Sequence, residues 1–206
     1  MKPDPLTITG LILAGGRSRR MGATDKAFIE LAKRPMLAHV LDRLEPQVAQ
    51  VVISSNEDPA CFSPFQKTVI ADGRGGFQGP LAGIEAAFMT LDTDWLLSVP
   101  VDTPFFPKDL AGRMCQAAQN ESLPVVAESD NRLHPVITLW PRSVLPFLIH
   151  SLDTQQLKLH DWFAKQKHHR VVFDRDEQGN DPFFNVNRPE DLALAEQRIR
   201  RHPAGK

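Results

Sequence analysis

Apolar residues along this chain keep two rhythms that alternate, and the alternation predicts most of the elements. Short runs of aliphatic residues read as strands: "ITGLILAGG" near the start, "QVVISSN" from Gln50, "KTVIAD" from Lys67, and "DWLLSVPVDTP", which stops being apolar at Asp102. Between the first two, Met36, Leu37, Val40, Leu41 and Leu44 recur at helical spacing, with polar His39, Asp42 and Arg43 among them. "PLAGIEAAFMTLD" reads as a second helix, opened by a proline whose fixed φ suits a first turn. The second half is less regular. "LPVVAE", "LHPVITLW" and "HHRVVFD" read as strands, the middle one antiparallel or at an edge because of Pro135. "SVLPFLIHSL", "LKLHDWFAKQ" and a capped "NRPEDLALAEQRIR", with Pro189 near its first turn and acids just after, read as helices.

Strands that alternate with helices predict βαβ units and a mainly parallel sheet, so the fold class is α/β. The C-terminal ends of the first four strands carry Gly15, Asn56, Asp72 and Asp102. Ligands of open α/β sheets bind at that edge, so these four ends are expected to surround one site. No repeat, low-complexity tract or Gly/Ser linker divides the chain. One domain over residues 1–206 is expected, with a first half of about 7–105 and a second of about 106–200.

Composition narrows the function without naming it. With 206 residues, 42% of them hydrophobic and 24% charged, the chain has enough apolar surface for one substantial core. A net charge of -1 provides no global field for a nucleic-acid backbone. The two cysteines, Cys61 and Cys115, stand in no metal-ligand or disulfide pattern and suit a reducing cytoplasm. The apolar runs fall far short of the ~20 residues that a membrane span needs. "MKPDPLTITG" has prolines and an acid where a signal peptide has an apolar core, and the basic "RIRRHPAGK" tail reads as solvated. The expected location is cytoplasmic, with neither nucleic acid nor membrane as a partner.

The densest chemistry is in "LAGGRSRRMGATDK". An apolar strand ends in Gly15-Gly16, and Arg17, Arg19, Arg20 and Lys26 follow within a few positions. Neither common phosphate loop is present: G-x-x-x-x-G-K-[ST] fails on spacing, and G-x-G-x-x-G does not occur. A nonstandard glycine loop remains, with backbone N–H groups for phosphate oxygens and charge-assisted donors from Arg20 and Lys26. Spacing alone leaves this reading level with an ordinary strand-to-helix turn carrying exposed arginines.

The literal residues resemble the opening motif of a nucleotidyltransferase family, L-A-[AG]-G-x-S-x-R-M-G followed by lysine. The Ala-Gly-Gly form with "DK" is most similar to the molybdenum cofactor guanylyltransferases, the MobA proteins. "GPLAG" (Gly79 to Gly83), "PVDTPF" (Pro100 to Phe105), "LHP" (Leu133 to Pro135) and "FFNVNRPEDL" (Phe183 to Leu192) resemble that family's later segments in the same order. The resemblance implies a Rossmann-like nucleotidyltransferase fold, with helices on both faces of a mainly parallel central sheet. It implies transfer of GMP from GTP to molybdopterin bearing molybdenum, with Mg2+ as cofactor, and maturation proteins of molybdoenzymes as further partners. By the same resemblance Leu13, Ala14, Gly15 and Gly16 contact the nucleotide, Lys26 and Arg20 meet its phosphates, and Asp72 lies at the nucleoside side. Asp102 holds the metal, and Asn185 and Asn187 contact the acceptor. Ser54 stands where the best-known members have asparagine, with Asn56 two residues on.

Blander readings accompany several of these residues. Asp102 before Thr103-Pro104 also reads as a cap, and Asp72-Gly73 as a turn. Asn185 and Asn187 are expected to alternate on one strand face pointing into the cleft, or to cap the turn before Pro189. "GRGGFQG" is a connection or a flap. His134 reads as a structural or pterin-side polar contact, His168-His169 as solvated, and Trp95, Trp140 and Trp162 as packing residues. Two other functions compete: a cytidylyl or sugar-phosphate relative on the same fold, and a noncatalytic nucleotide-binding carrier. The Ala14-Gly15-Gly16 triplet and "GPLAG" disfavour the cytidylyl reading, and Lys26 with Asp102 disfavours the carrier.

Overall fold

The computed structural model describes residues 3–15, 26–75, 78–118 and 123–201. In chain order its strands are β1 (Thr9–Leu13), β2 (Glu30–Leu31), β3 (Arg34–Pro35), β4 (Gln50–Ser54), β5 (Thr68–Ile70), β6 (Trp95–Pro100), β7 (Val125–Ser129), β8 (Arg132–Pro141) and β9 (His169–Val172). The helices are α1 (Met36–Leu44), α2 (Pro80–Thr90), α3 (Leu110–Ala117), α4 (Leu145–Asp153), α5 (Leu159–Lys165) and α6 (Pro189–Arg201). Seven strands form the main sheet in the order β5-β4-β1-β6-β8-β7-β9, and β2 and β3 form a separate small hairpin. Neighbours β5, β4, β1 and β6 are parallel, and β7 is parallel to β9. Only β8 runs against both of its neighbours.

The period-2 pattern decides which side chain goes to which layer. In β1, Ile12 faces α1 and α3 while Leu11 and Leu13 face α2, α4 and α5. Val51 and Ile53 of β4 and Leu97 and Val99 of β6 join the first layer, with Val52 and Leu96 in the second. The helices therefore cover both faces, and the strands between them read as continuous apolar runs because both faces are buried. Trp95, Trp140 and Trp162 are all buried, as their packing role predicts. Among the described residues no helix is long and apolar enough to cross a membrane.

Pro135 sits in an interior strand rather than at an edge, which corrects half of that expectation. The β7–β8 register jumps from Val126↔Thr138 to Ala127↔His134, so Pro135, Val136 and Ile137 fall opposite an irregularity. A bulge is where a residue without an N–H costs no ladder bond. His168 and His169 are half-buried rather than solvated; the His168 ring meets Phe163 edge-on at 5.1 Å.

Helix α2 approaches the sheet unusually closely at Gly83. A Cβ placed there would lie 2.4 Å from Ser54 Oγ and 2.9 Å from Leu13 Cδ2. The small residue in "GPLAG" thus lets the helix rest on the ends of β1 and β4. Gly83→Ala is expected to destabilise the protein by about 1–3 kcal/mol through overpacking. Ser54→Ala in the same chain should recover part of this loss, as read by chemical denaturation; no recovery would mean that Leu13 is the obstacle.

Candidate active site

The four strand ends named from the sequence lie side by side, because β5, β4, β1 and β6 are consecutive and parallel. The hydrogen bonding of β1 continues past its end: Ala14 N–H donates to the Ser54 carbonyl at 2.9 Å, and Val101 N–H to that of Leu13 at 3.1 Å. Ala14 and Gly15 are therefore fixed between the neighbouring strands at the mouth of a cavity of about 330 Å³. That cavity is also lined by Lys26, Asp102, His134 and Asn185. Among the described residues nothing lies within 4 Å of where a Gly15 Cβ would stand.

Lys26 begins a short 3-10 turn, and its Nζ donates to Asp102 Oδ2 at 2.7 Å and to Asn187 Oδ1. Both members of the ion pair are largely buried, with side chains 23% and 16% exposed. Asn187 is held for this contact by helix α6, since Asp191 Oδ2 accepts from the backbone N–H groups of Asn187 and Arg188, each at 2.9 Å. This is the reach-back half of a capping box. Thr103 Oγ1 donates to Asn185 Oδ1, and Val186 N–H donates to the Asp102 carbonyl at 2.8 Å. Residues far apart in the chain thus close on one another around the end of β6.

Asn185 and Asn187 do not lie on a strand, contrary to the sequence reading. Residues 184–187 are an irregular segment, which approaches Asp102 through a single backbone bond instead of a ladder. Pro182 and the α6 cap at its two ends leave no room for regular pairing. The segment still brings both side chains to the site.

On the other side of β1, Asn56 and Asp72 bind each other reciprocally. Asn56 Nδ2 donates to Asp72 Oδ2 at 2.7 Å, and Asp72 N–H donates to Asn56 Oδ1 at 2.9 Å. Asp72 and Ser54 do not line the 330 Å³ cavity. Ser54 is buried, and its hydroxyl fills the space that Gly83 leaves. In the next loop Arg74 makes a two-pronged pair with Glu85, both contacts 2.6 Å, and a further bond of 2.7 Å to Asp153. These carboxylates hold the Arg74 guanidinium above its ordinary pKa. The start of "GRGGFQG" is thereby tied to α2 and α4. Gly16 and Arg20, with Arg17 and Arg19, lie outside the described residues.

The far wall of the cavity was only partly legible. His134 is there, joined by Arg132 and His160, and a hydrogen bond ties His134 to buried Ser129. Burial pushes the His134 ring below its usual pKa, and Asp181 opposes this. Neither Ser129 nor Asp181 belongs to a motif. Among the described residues no cluster of three or more metal-binding side chains occurs, and Asp102 is the one carboxylate that lines the cavity.

The model of the MobA-like NTP transferase domain matches residues 10–171. A molybdenum cofactor guanylyltransferase of Rhodopseudomonas palustris (strain BisB5) is 42% identical over 203 residues, covering 96% of each chain. One from Shewanella piezotolerans is 39% identical over 186 residues, covering 90% of each. Among solved structures, molybdopterin-guanine dinucleotide biosynthesis protein A from Archaeoglobus fulgidus superposes with a TM-score of 0.75 at 20% identity, covering 94% of this chain and 99% of that one. A CMP:2-keto-3-deoxy-manno-octonic acid synthetase complexed with CTP gives 0.71 at 14% identity, covering 94% and 98%, and these two likenesses show the nucleotidyltransferase fold.

Proposed function

The chain belongs to the MobA-like NTP transferase family and is a nucleotidyltransferase, and on that premise we propose that it transfers GMP from GTP to molybdopterin bearing molybdenum. The observation that carries the reading is the convergence of Lys26, Asp102 and Asn187 at the edge where the two halves of the chain meet. A phosphate oxygen of the acceptor forms a bond to the α-phosphorus of GTP, and the bond from that phosphorus to the bridging oxygen breaks, releasing pyrophosphate. No covalent enzyme intermediate is required. The attacking phosphate is ionised near neutral pH, so no general base is required either. The protein's work is to align two anions and to neutralise them.

Each residue has a part in that work. Leu13, Ala14 and Gly15 line the cavity where the nucleotide would lie, and Gly16 joins them by virtue of the motif. The Lys26 ammonium faces the phosphates, and Arg20 joins it by virtue of the motif. Asp72, braced by Asn56, stands at the nucleoside side of the same sheet edge. Asn185 and Asn187 face the acceptor. The donor set fits Mg2+: Asp102 keeps one carboxylate oxygen without a partner among the described residues, and magnesium is usually held by one or two carboxylates together with substrate phosphates. When bound, the ion supplies charge neutralisation at the transferring phosphoryl group.

The test is pyrophosphate release with each of the four nucleoside triphosphates, with and without molybdenum-loaded molybdopterin. Release is expected with GTP and acceptor together. CTP serving as well as GTP would remove the guanine assignment and leave the transferase. Ser54→Ala is expected to leave the KM for GTP within about twofold and the base preference intact, because its hydroxyl packs against Gly83. A switch in base preference in that variant would put Ser54 at the base instead.

A further inference from the structure

A hydrogen-bond chain behind the cavity wall has a polarity that follows from what each member can donate. Ser129 Oγ lies 2.9 Å from Asp181 Oδ1 and 2.8 Å from His134 Nε2. An ionised carboxylate only accepts, so the single hydroxyl hydrogen of Ser129 goes to Asp181. Ser129 Oγ must then accept from the ring, and Nε2 must carry a hydrogen. In the neutral ring the lone pair is left on Nδ1. The ring is also held by its face: it lies against Phe183 at 4.7 Å, and Phe183 N–H donates to the same Asp181 oxygen at 2.9 Å. Ser129 is 1% exposed, so the hydroxyl at the centre of the chain is shielded from water.

Nδ1 has no hydrogen-bond partner among the described residues, and His134 lines the cavity. The polar side chains around it are mostly donors. Lys26 and Arg132 cannot accept, and the Asn185 amide oxygen already accepts from Thr103, leaving its NH2 group and one lone pair. Apart from Asp102, the exposed His160 and the Asn185 oxygen already engaged by Thr103, the described side chains lining the cavity offer a substrate N–H group no other acceptor than His134. A pterin-type heterocycle presents such N–H groups, which a wall of cations and amide donors leaves unpaired.

We propose, on the reading of the acceptor given above, that Asp181 and Ser129 lock His134 in the Nε2–H tautomer so that Nδ1 accepts a hydrogen bond from an N–H donor of the heterocyclic acceptor. His134 is a binding residue, and Ser129 and Asp181 position it. The charged groups facing the ring are Asp181 and Asp130, which favour its protonation, and Arg132 and His160, which oppose it. Burial outweighs them and keeps the ring neutral at pH 7. Protonation turns Nδ1 into a donor, so the contact is lost as pH falls through the ring's titration.

The experiment combines nitrogen-resolved NMR of the histidines in the full chain with steady-state kinetics in GTP and in molybdenum-loaded molybdopterin. The Nε2–H tautomer is expected in the wild type and a mixture in Ser129→Ala. His134→Gln should raise the acceptor KM by about tenfold, the scale of one hydrogen bond, and Ser129→Ala by a smaller factor set by the fraction of ring left in the accepting tautomer, with the KM for GTP within twofold in both. His134→Asn places an amide oxygen near the Nδ1 position; it should restore the acceptor KM and abolish its rise in acid. An Nδ1–H tautomer overturns the proposal, as does an unchanged acceptor KM in His134→Gln. A wild-type acceptor KM that falls in acid overturns it too, since the ring would then act as a cation. Absence of wild-type turnover with this acceptor removes the functional reading and the substrate half of the proposal with it; the NMR still decides the tautomer.

Discussion

Lys26→Ala is expected to lower turnover by roughly two to three orders of magnitude, the scale for removing one preorganised charge-stabilising donor. Two oxygens from distant segments, Asp102 Oδ2 and Asn187 Oδ1, converge on the Nζ atom. An ammonium has three hydrogens, so one is left for a phosphate oxygen, already aimed before substrate arrives. Such a donor needs no reorganisation as charge builds on departing pyrophosphate. Some stability should be lost as well, because removing one partner of a largely buried ion pair leaves the Asp102 carboxylate without its cation. Lys26→Arg should restore little of the rate, since a planar fork cannot meet both oxygens and a phosphate from the position of a compact ammonium. Pyrophosphate release measured beside thermal melts decides the matter. A rate within tenfold of wild type would reduce Lys26 to a strut between β6 and α6.

What the sequence made legible was what depends on local period. The strands of the first half, α1 and α2 follow directly from apolar spacing, and two-sided burial explains why β1 and β4 read as unbroken runs. Strand order was not legible, but the consequence that matters for the site was: parallel strands deliver their C-terminal ends to one edge. Helix α3 was not legible because it spans only eight residues, with four buried positions (Leu110, Ala111, Met114 and Cys115) and no side-chain cap. The β2–β3 hairpin escaped because two-residue strands have no period to detect. It turns at Ala32 and Lys33, both at positive φ, where no glycine or asparagine marks the turn.

The site divides in the same way. Gly15 and Asp102, singled out on strand ends by position and motif together, both line the cavity, whereas Asp72, on a strand end as well, does not. Lys26 and Asn187 were found by motif alone, and their contact is a tertiary fact that no spacing predicts. Ser54 shows the limit of carrying a role over by position. Its place at the end of β4 is as expected, but the side chain is directed by the helix above it, and the reason lies in Gly83. Ser129 and Asp181 matter only through the ring they orient, so no pattern of residue types could select them.

Asp102→Asn is expected to cost turnover as heavily as the lysine variant, and the reason is a count of oxygens. Asp102 has two: Oδ2 takes the Lys26 ammonium, and the other, without a partner among the described residues, is the one proposed for the metal. The amide has one oxygen and one NH2 group, so it can serve Lys26 or a cation but not both. If the oxygen stays with Lys26, a donor faces the metal position, and saturating magnesium cannot correct that. The fold should persist, because the Asp102 carbonyl keeps its 2.8 Å bond from Val186 N–H and the side-chain volume is unchanged. The double variant Lys26→Ala with Asp102→Asn gives the sharper result. The two residues act as a pair, so the combined loss should be well short of the product of the single losses. Independent, multiplying losses would separate their roles, and a near-wild-type Asp102→Asn rate in excess magnesium would remove the carboxylate from the reaction altogether.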